Sequence, residues 1–175
     1  MEEESIDMQI SNDDSHVVTS NATESVHPVD PLALERQVCF ALVVAARSVL
    51  SVYRPLLEPM GLTHPQYLVM LALWEHSPLS VREIGALLQL DSPTLSPLLK
   101  RLATAGLVTR TRSGDDERRL TIELTQKGRE LRERATQIPP AIVARLGIEI
   151  SELELLREAL TKVIKAALDA DEPSK

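Results

Sequence analysis

The chain has 175 residues, 43% apolar and 26% charged, the size and mixture of one soluble domain with a short extension, and it excludes collagen-like, mucin-like and disulfide-stapled architectures. Four aromatic side chains, Phe40, Tyr53, Tyr67 and Trp74, leave the core to Leu, Val, Ile and Ala, which favours helices and argues against an all-β fold. The net charge of −7 is unevenly spread: the first 31 residues carry eight carboxylates and no Lys or Arg, while the rest carry 19 basic and 18 acidic side chains.

An acidic tail over 1–31, read as disordered and solubilising, therefore precedes a near-neutral domain over 32–169, with a flexible end over 170–175. The overall charge then says little about what the domain touches. The longest uninterrupted apolar run, Val38 to Ala46, is nine residues, against the roughly 20 of a membrane-spanning helix, and no signal-peptide pattern opens the chain. No membrane partner and a cytoplasmic location are expected. A single cysteine excludes an internal disulfide, and no Cys/His cluster has zinc spacing, so neither metal nor cofactor is expected.

From Leu32 to about Leu57, apolar residues recur along two adjacent helical stripes opposite Arg36, Arg47 and Arg54, predicting a long helix with a wide apolar side. Pro55 and Pro59 end or bend it. Cys39 stands about two turns into that helix, beyond the first turn where the macrodipole acts. A free cysteine in such a run is read either as a small buried hydrophobe or as a reactive thiol. His64 to Glu75, entered through Pro65, predicts a second helix with Tyr67 and Trp74 in the core.

Ser80-Val81-Arg82-Glu83 is a capping box that opens a short helix with Ile84, Leu87 and Leu88 on one face. Asp91 or Ser92 caps the next, whose inner face is Leu95, Leu98, Leu99 and Leu102 and which Gly106 ends. Two short helices with a tight break have the form of a helix-turn-helix. Leucines facing inward leave Thr94, Pro97 and Arg101 outward, flanked by Ser96 and Lys100: small groups that permit close approach to base edges, and cations that reach phosphates. Pro97, inside the helix, costs around 3 kcal/mol relative to Ala unless the helix kinks.

Val108 to Arg112 and Arg119 to Leu124 alternate with period two around Ser113-Gly114-Asp115-Asp116, predicting a β-hairpin. Arg110, Arg112, Arg118 and Arg119 stand on it, and residues 92–119 hold six basic and three acidic side chains. The hairpin is read either as a solvated charged loop or as a nucleic-acid contact. Thr125 caps a helix that Pro139-Pro140 interrupts, and a capping box at Ser151 to Glu154 starts a last helix carrying Leu153, Leu156, Leu160, Val163, Ile164 and Ala167. Together with the wide first helix, that apolar face points to a dimer.

This order of elements, with Asp116-Glu117-Arg118-Arg119 followed by a strand ending in Leu124-Thr125, resembles the MarR family of winged-helix dimeric regulators. Glu35 to Leu42, Tyr53-Arg54-Pro55-Leu56-Leu57, Pro65-Gln66-Tyr67-Leu68 and Leu90 to Leu102 resemble its organic-hydroperoxide-sensing, OhrR-like branch with one cysteine. The resemblance implies a mainly α fold with a small β-hairpin wing and a homodimer on a pseudo-palindromic double-stranded operator. It also implies a recognition helix from Ser92 in the major groove and Arg118 in the minor groove, braced by Asp116.

The resemblance further implies that Cys39 is the peroxide-reactive thiol, its thiolate held by hydroxyl donors partly across the dimer. Tyr53 matches one such tyrosine; His64 and Val43 stand where the family has two more. His64 is read either as a replacement donor or as a solvent-exposed helix start. With no resolving cysteine, an oxidised Cys39 would form a mixed disulfide with a low-molecular-weight thiol, or over-oxidise, and the repressor would leave its operator. Two other readings stand beside it: a MarR-like repressor released by a phenolic or carboxylate ligand with Cys39 inert, and a thiol peroxidase, which the lack of a resolving cysteine disfavours.

Overall fold

The computed structural model describes residues 30–113 and 116–171, with backbone alone for the strand residues in 112–119. The chain divides into two units, Met1–Gln37 and Val38–Lys175. In the described part of the first, a 3₁₀ turn spans Leu34–Arg36, and Gln37 Nε2 donates to the Pro31 carbonyl at 2.7 Å. Gln37 itself is extended, so the expected helix from Leu32 does not form as one piece.

The second unit begins with α1 (Val38–Leu57), which runs through Pro55 and passes into a 3₁₀ turn at Glu58–Met60. Helix α2 (His64–His76) follows, its start closed by Thr63 and Gln66, whose Oε1 accepts the Thr63 N–H at 2.8 Å. Strand β1 (Leu79–Ser80), which sequence periodicity is too short to reveal, precedes α3 (Val81–Leu88) and α4 (Ser92–Thr104). The wing is β2 (Val108–Ser113) and β3 (Asp116–Leu124), in an antiparallel sheet of order β1-β3-β2. Leu79 pairs with Ile122 and Arg110 with Ile122 from the other side, with a slip in register between Arg112 and Ser113.

Helix α5 (Gln126–Ala135) is capped by Thr125, which accepts the Gly128 N–H at 3.0 Å. Pro139 and Pro140 do not simply interrupt it: they sit in the first turn of a separate helix, α6 (Ile138–Leu146), where a missing N–H costs nothing. The last helix, α7 (Ile150–Asp171), starts before the expected box: the Glu149 N–H donates to the Glu152 carboxylate at 3.2 Å, so Ser151 lies inside the first turn.

The core joins α2, α3, α4, the sheet and α5–α6. Val69, Met70 and Leu73 of α2 meet Ile84, Leu95, Leu99, Leu102 and Ile122, all at 1% exposure or less. Each such side chain contributes about 2 kcal/mol of burial. Close approach explains one glycine: a Cβ on Gly128 would run into the Leu107 carbonyl oxygen. Tyr67 is buried as expected, while Trp74 is half-buried and donates its indole N–H to the Gly128 carbonyl at 2.8 Å, tying α2 to α5. Leu87, expected to face inward, is 53% exposed, because the face of α3 that meets the core carries Val81, Ile84 and Leu88.

Outside this core, α1 exposes Val38, Phe40, Val43, Val44 and Leu50, and α7 exposes Leu155, Leu156, Val163, Ile164 and Leu168. Val38–Met60 is also long and apolar enough, with mean hydropathy 1.5, to cross a membrane by length and composition alone. The nine-residue apolar run hid this, since Arg47 breaks the run without lowering the average much.

Candidate nucleic-acid interface and redox site

Two short helices are held at a fixed angle by local chemistry. The Ser80 hydroxyl accepts the Glu83 N–H at 3.2 Å, and Glu83 Oε2 accepts the Ser80 N–H at 2.7 Å, which makes the expected capping box. Between the helices Gln89 takes a left-handed conformation (φ 52°), and the Leu90 N–H returns to the Gly85 carbonyl at 2.9 Å. A Cβ at Gly85 would collide with the Leu90 carbonyl oxygen, so the turn requires glycine there.

Asp91, rather than Ser92, caps α4, accepting the Thr94 N–H at 3.0 Å. The Thr94 side chain first, and then its backbone N–H, hold the Asp91 carboxyl below its ordinary titration range. Leu95, Leu99 and Leu102 anchor α4 in the core, with Leu98 partly buried, and the opposite face leaves Ser92, Thr94, Ser96, Pro97, Lys100 and Arg101 exposed. Pro97 is accommodated without breaking α4, on its exposed side.

Arg110 projects from β2 into a cleft of about 1130 Å³ that Ser92 and Ser96 also line. Arg82 and Gln89, which the sequence reading passed over, line the same cleft. Their signal was available: Arg82 is the capping-box residue pointing away from Ile84, and Gln89 fills the helix-turn-helix break. Among the described residues Arg82, Lys100, Arg101 and Arg110 have no carboxylate within 4.0 Å, and Asp91 is the acidic side chain that lines the cleft with Arg82 and Arg110. The side chains of Asp116 and Arg118 lie outside the described residues; their backbone belongs to β3.

The thiol sits elsewhere. Because α1 opens at Val38, Cys39 is its second residue, not two turns in. In that first turn the backbone N–H groups lack helical partners. Cys39 is exposed in the single chain rather than buried among aliphatic groups.

Tyr53 and His64 are brought together, with ring centroids 4.9 Å apart at 75°, and Tyr67 stands 6.1 Å from Tyr53. His64 is half-buried, neither a free helix start nor a core residue. Desolvation lowers the His64 pKa, so its neutral imidazole is favoured, and raises that of Tyr53. Tyr67 is raised first by burial and then by Tyr53. The same fold does not bring this pair to the thiol of its own chain. Tyr53 lies 14 residues along α1 from Cys39, about 21 Å at 1.5 Å per residue.

A helix-turn-helix followed by a two-stranded wing, with a basic outer face, defines a winged-helix transcriptional regulator. The family model for the transcriptional regulators SarA/Rot matches residues 51–135. The chain is 43% identical over 136 residues to the organic hydroperoxide resistance transcriptional regulator of Bacillus subtilis, covering 78% of this chain and 92% of that one. It is 46% identical over 134 residues to the regulator TtmR of Methylorubrum extorquens, covering 77% and 69%. The crystal structure of AbfR of Staphylococcus epidermidis superposes with a TM-score of 0.66 at 35% identity, covering 78% of this chain and 94% of that one. Reduced AbfR bound to DNA matches with a TM-score of 0.65 at 36% identity, covering 77% and 94%. The chain belongs to the MarR family of winged-helix transcriptional regulators, in the branch that holds the organic hydroperoxide resistance regulators.

Proposed function

We propose that this chain is a cytoplasmic, homodimeric DNA-binding repressor, not an enzyme, that organic hydroperoxides release from its operator by oxidising Cys39. One observation carries the reading. Tyr53 stands on the helix that bears the only cysteine, about 21 Å along it, where His64 from the start of α2 packs against it, and α1 bares a wide apolar side. A second copy packed antiparallel on α1 lays its Cys39 beside this pair. The apolar faces of α1 and α7 then meet protein rather than lipid, and both thiols gain hydrogen-bond donors.

In this arrangement the thiolate attacks the distal oxygen of the hydroperoxide. An S–O bond forms and the O–O bond breaks; sulfur loses two electrons, and the departing alkoxide takes up a proton to leave as the alcohol. The sulfenic acid then condenses with a low-molecular-weight thiol, forming an S–S bond and releasing water. Burial holds His64 neutral, so it acts as a dipolar N–H donor beside the Tyr53 hydroxyl, in place of a second phenol. An adduct at the mouth of the interface forces α1 away from its partner and respaces the two reading heads.

On DNA, α4 enters the major groove. Ser92, Thr94, Ser96 and Pro97 approach base edges, while Lys100, Arg101 and Arg110 contact phosphates. Arg118 at the wing, braced by Asp116, reads the narrow minor groove. Affinity for a pseudo-palindromic operator falls steeply with salt.

The test is a mobility shift on DNA upstream of the gene for this chain, with cumene hydroperoxide added. Wild type is released and Cys39→Ser stays bound. Release of the Cys39→Ser protein by the same hydroperoxide would overturn the redox reading and leave a repressor answering to a bound ligand.

A further inference from the structure

Beside the Tyr53–His64 pair, between the second half of α1 and the start of α2, lies a cavity of about 530 Å³. Leu50, Leu62 and Pro65 give it apolar walls, His64 closes one side, and Arg54 and Glu58 reach into it. This is the size and chemistry of a small-molecule site: an apolar body with a few polar groups placed around it. Arg54 and Glu58 are one turn apart, yet among the described residues neither side chain makes an ion pair or a hydrogen bond. A guanidinium at an apolar cavity, unpaired with the Glu58 carboxylate that shares the cavity, is open to an anion.

His64 belongs to both features: its ring packs on Tyr53 and it also lines the cavity. A molecule lying in the cavity with one end at His64 therefore has its reactive end where the partner's thiol is proposed to sit, and its other polar end near Arg54. We propose that Arg54 is a specificity-determining residue that selects hydroperoxides carrying a carboxylate, such as fatty-acid hydroperoxides, over neutral ones of the same body. Glu58 sits on the same cavity and works against it, so the two residues together set the strength of the preference. The proposal rests on Cys39 being the peroxide-reactive thiol.

The experiment compares the rate of Cys39 oxidation in the full-length protein by linoleic acid hydroperoxide and by its methyl ester, followed by intact mass. The two share the same chain and hydroperoxide and differ at one end, a charged carboxylate against a neutral methyl ester. Wild type is expected to favour the acid about tenfold, the scale of one charge-assisted contact. Arg54→Gln brings that ratio towards one, Arg54→Lys keeps most of it, and Glu58→Gln raises it. Added salt lowers it, because the site is open to solvent. An equal rate for acid and ester in wild type, or an Arg54→Gln variant slowed equally towards both, overturns the assignment of Arg54 while leaving the redox reading intact. Failure of both hydroperoxides to oxidise Cys39 in wild type overturns the redox reading itself, and this proposal with it.

Discussion

The reading head and the terminal helices of this chain solve the burial problem in opposite ways. In the head, α4 turns its leucines inward against α2, α3 and β3, with Leu95, Leu99, Leu102 and Ile122 fully sealed. In α1 and α7, residues of the same apolar kind stay open to solvent, Leu156 at 52% and Val43 at 47% exposure among them. Apolar content alone therefore does not distinguish core from interface. The head closes its own hydrophobic surface within one chain, whereas the terminal helices present a surface that only another body completes.

Four variants test this contrast, from the largest expected effect down. Replacing Leu156 and Ile164 together by Glu places charges on the exposed face of α7. The expected outcome is a monomer by analytical ultracentrifugation that binds an operator only weakly, with the thermal unfolding of the head preserved. A dimer that persists would mean that α7 packs on nothing of consequence. Leu102→Ala acts on the other region: opening a cavity at a fully buried site costs about 2–5 kcal/mol, read as a lowered midpoint in urea, and leaves the association of terminal helices intact. Equal loss of dimer and of stability in this variant would erase the distinction between the two regions.

The smallest effect concerns pH. The Asp91 cap holds its carboxyl below the usual range, so its contribution to α4 is present above the ordinary carboxylate pKa and lost as pH falls through the lowered one. His64 has the same sign: its folded pKa lies below the unfolded value, so its neutral form supports the fold above about pH 6.5 and that support fades as pH drops through the folded value. Acid should destabilise both regions a little. Asp91→Asn keeps the capping oxygen and removes the first effect, read by urea midpoints between about pH 5 and pH 3, and His64→Tyr removes the second, read between about pH 7 and pH 5.

Much of the head was legible in the residues because its determinants are local. Ser80 and Glu83 are three residues apart and satisfy each other, Thr125 reaches the Gly128 N–H, and the leucine stripe of α4 repeats within a few turns. Elements that failed to appear had no local signal. Strand β1 is two residues long and exists only because β3 offers it an open edge. Pro139 and Pro140 read equally well as a break or as a helix start, and their packing at Ile138 and Ile142 decides for the start. The first turn of α1 was misplaced because apolar periodicity continues upstream of Val38, whereas the extended backbone at Gln37 does not.

Amino-acid order alone determined the helix-turn-helix, the wing, the outward residues of α4 and the solitary thiol, since periodicity, caps and turn residues act over a few positions. Tertiary structure decided that Tyr53 and His64 touch, that Cys39 opens its helix, and that the two lie too far apart within one chain to meet. Such facts depend on where a helix begins and which face of it finds a neighbour. Those are settled by competition among distant segments for burial, a sum that no short stretch of sequence contains.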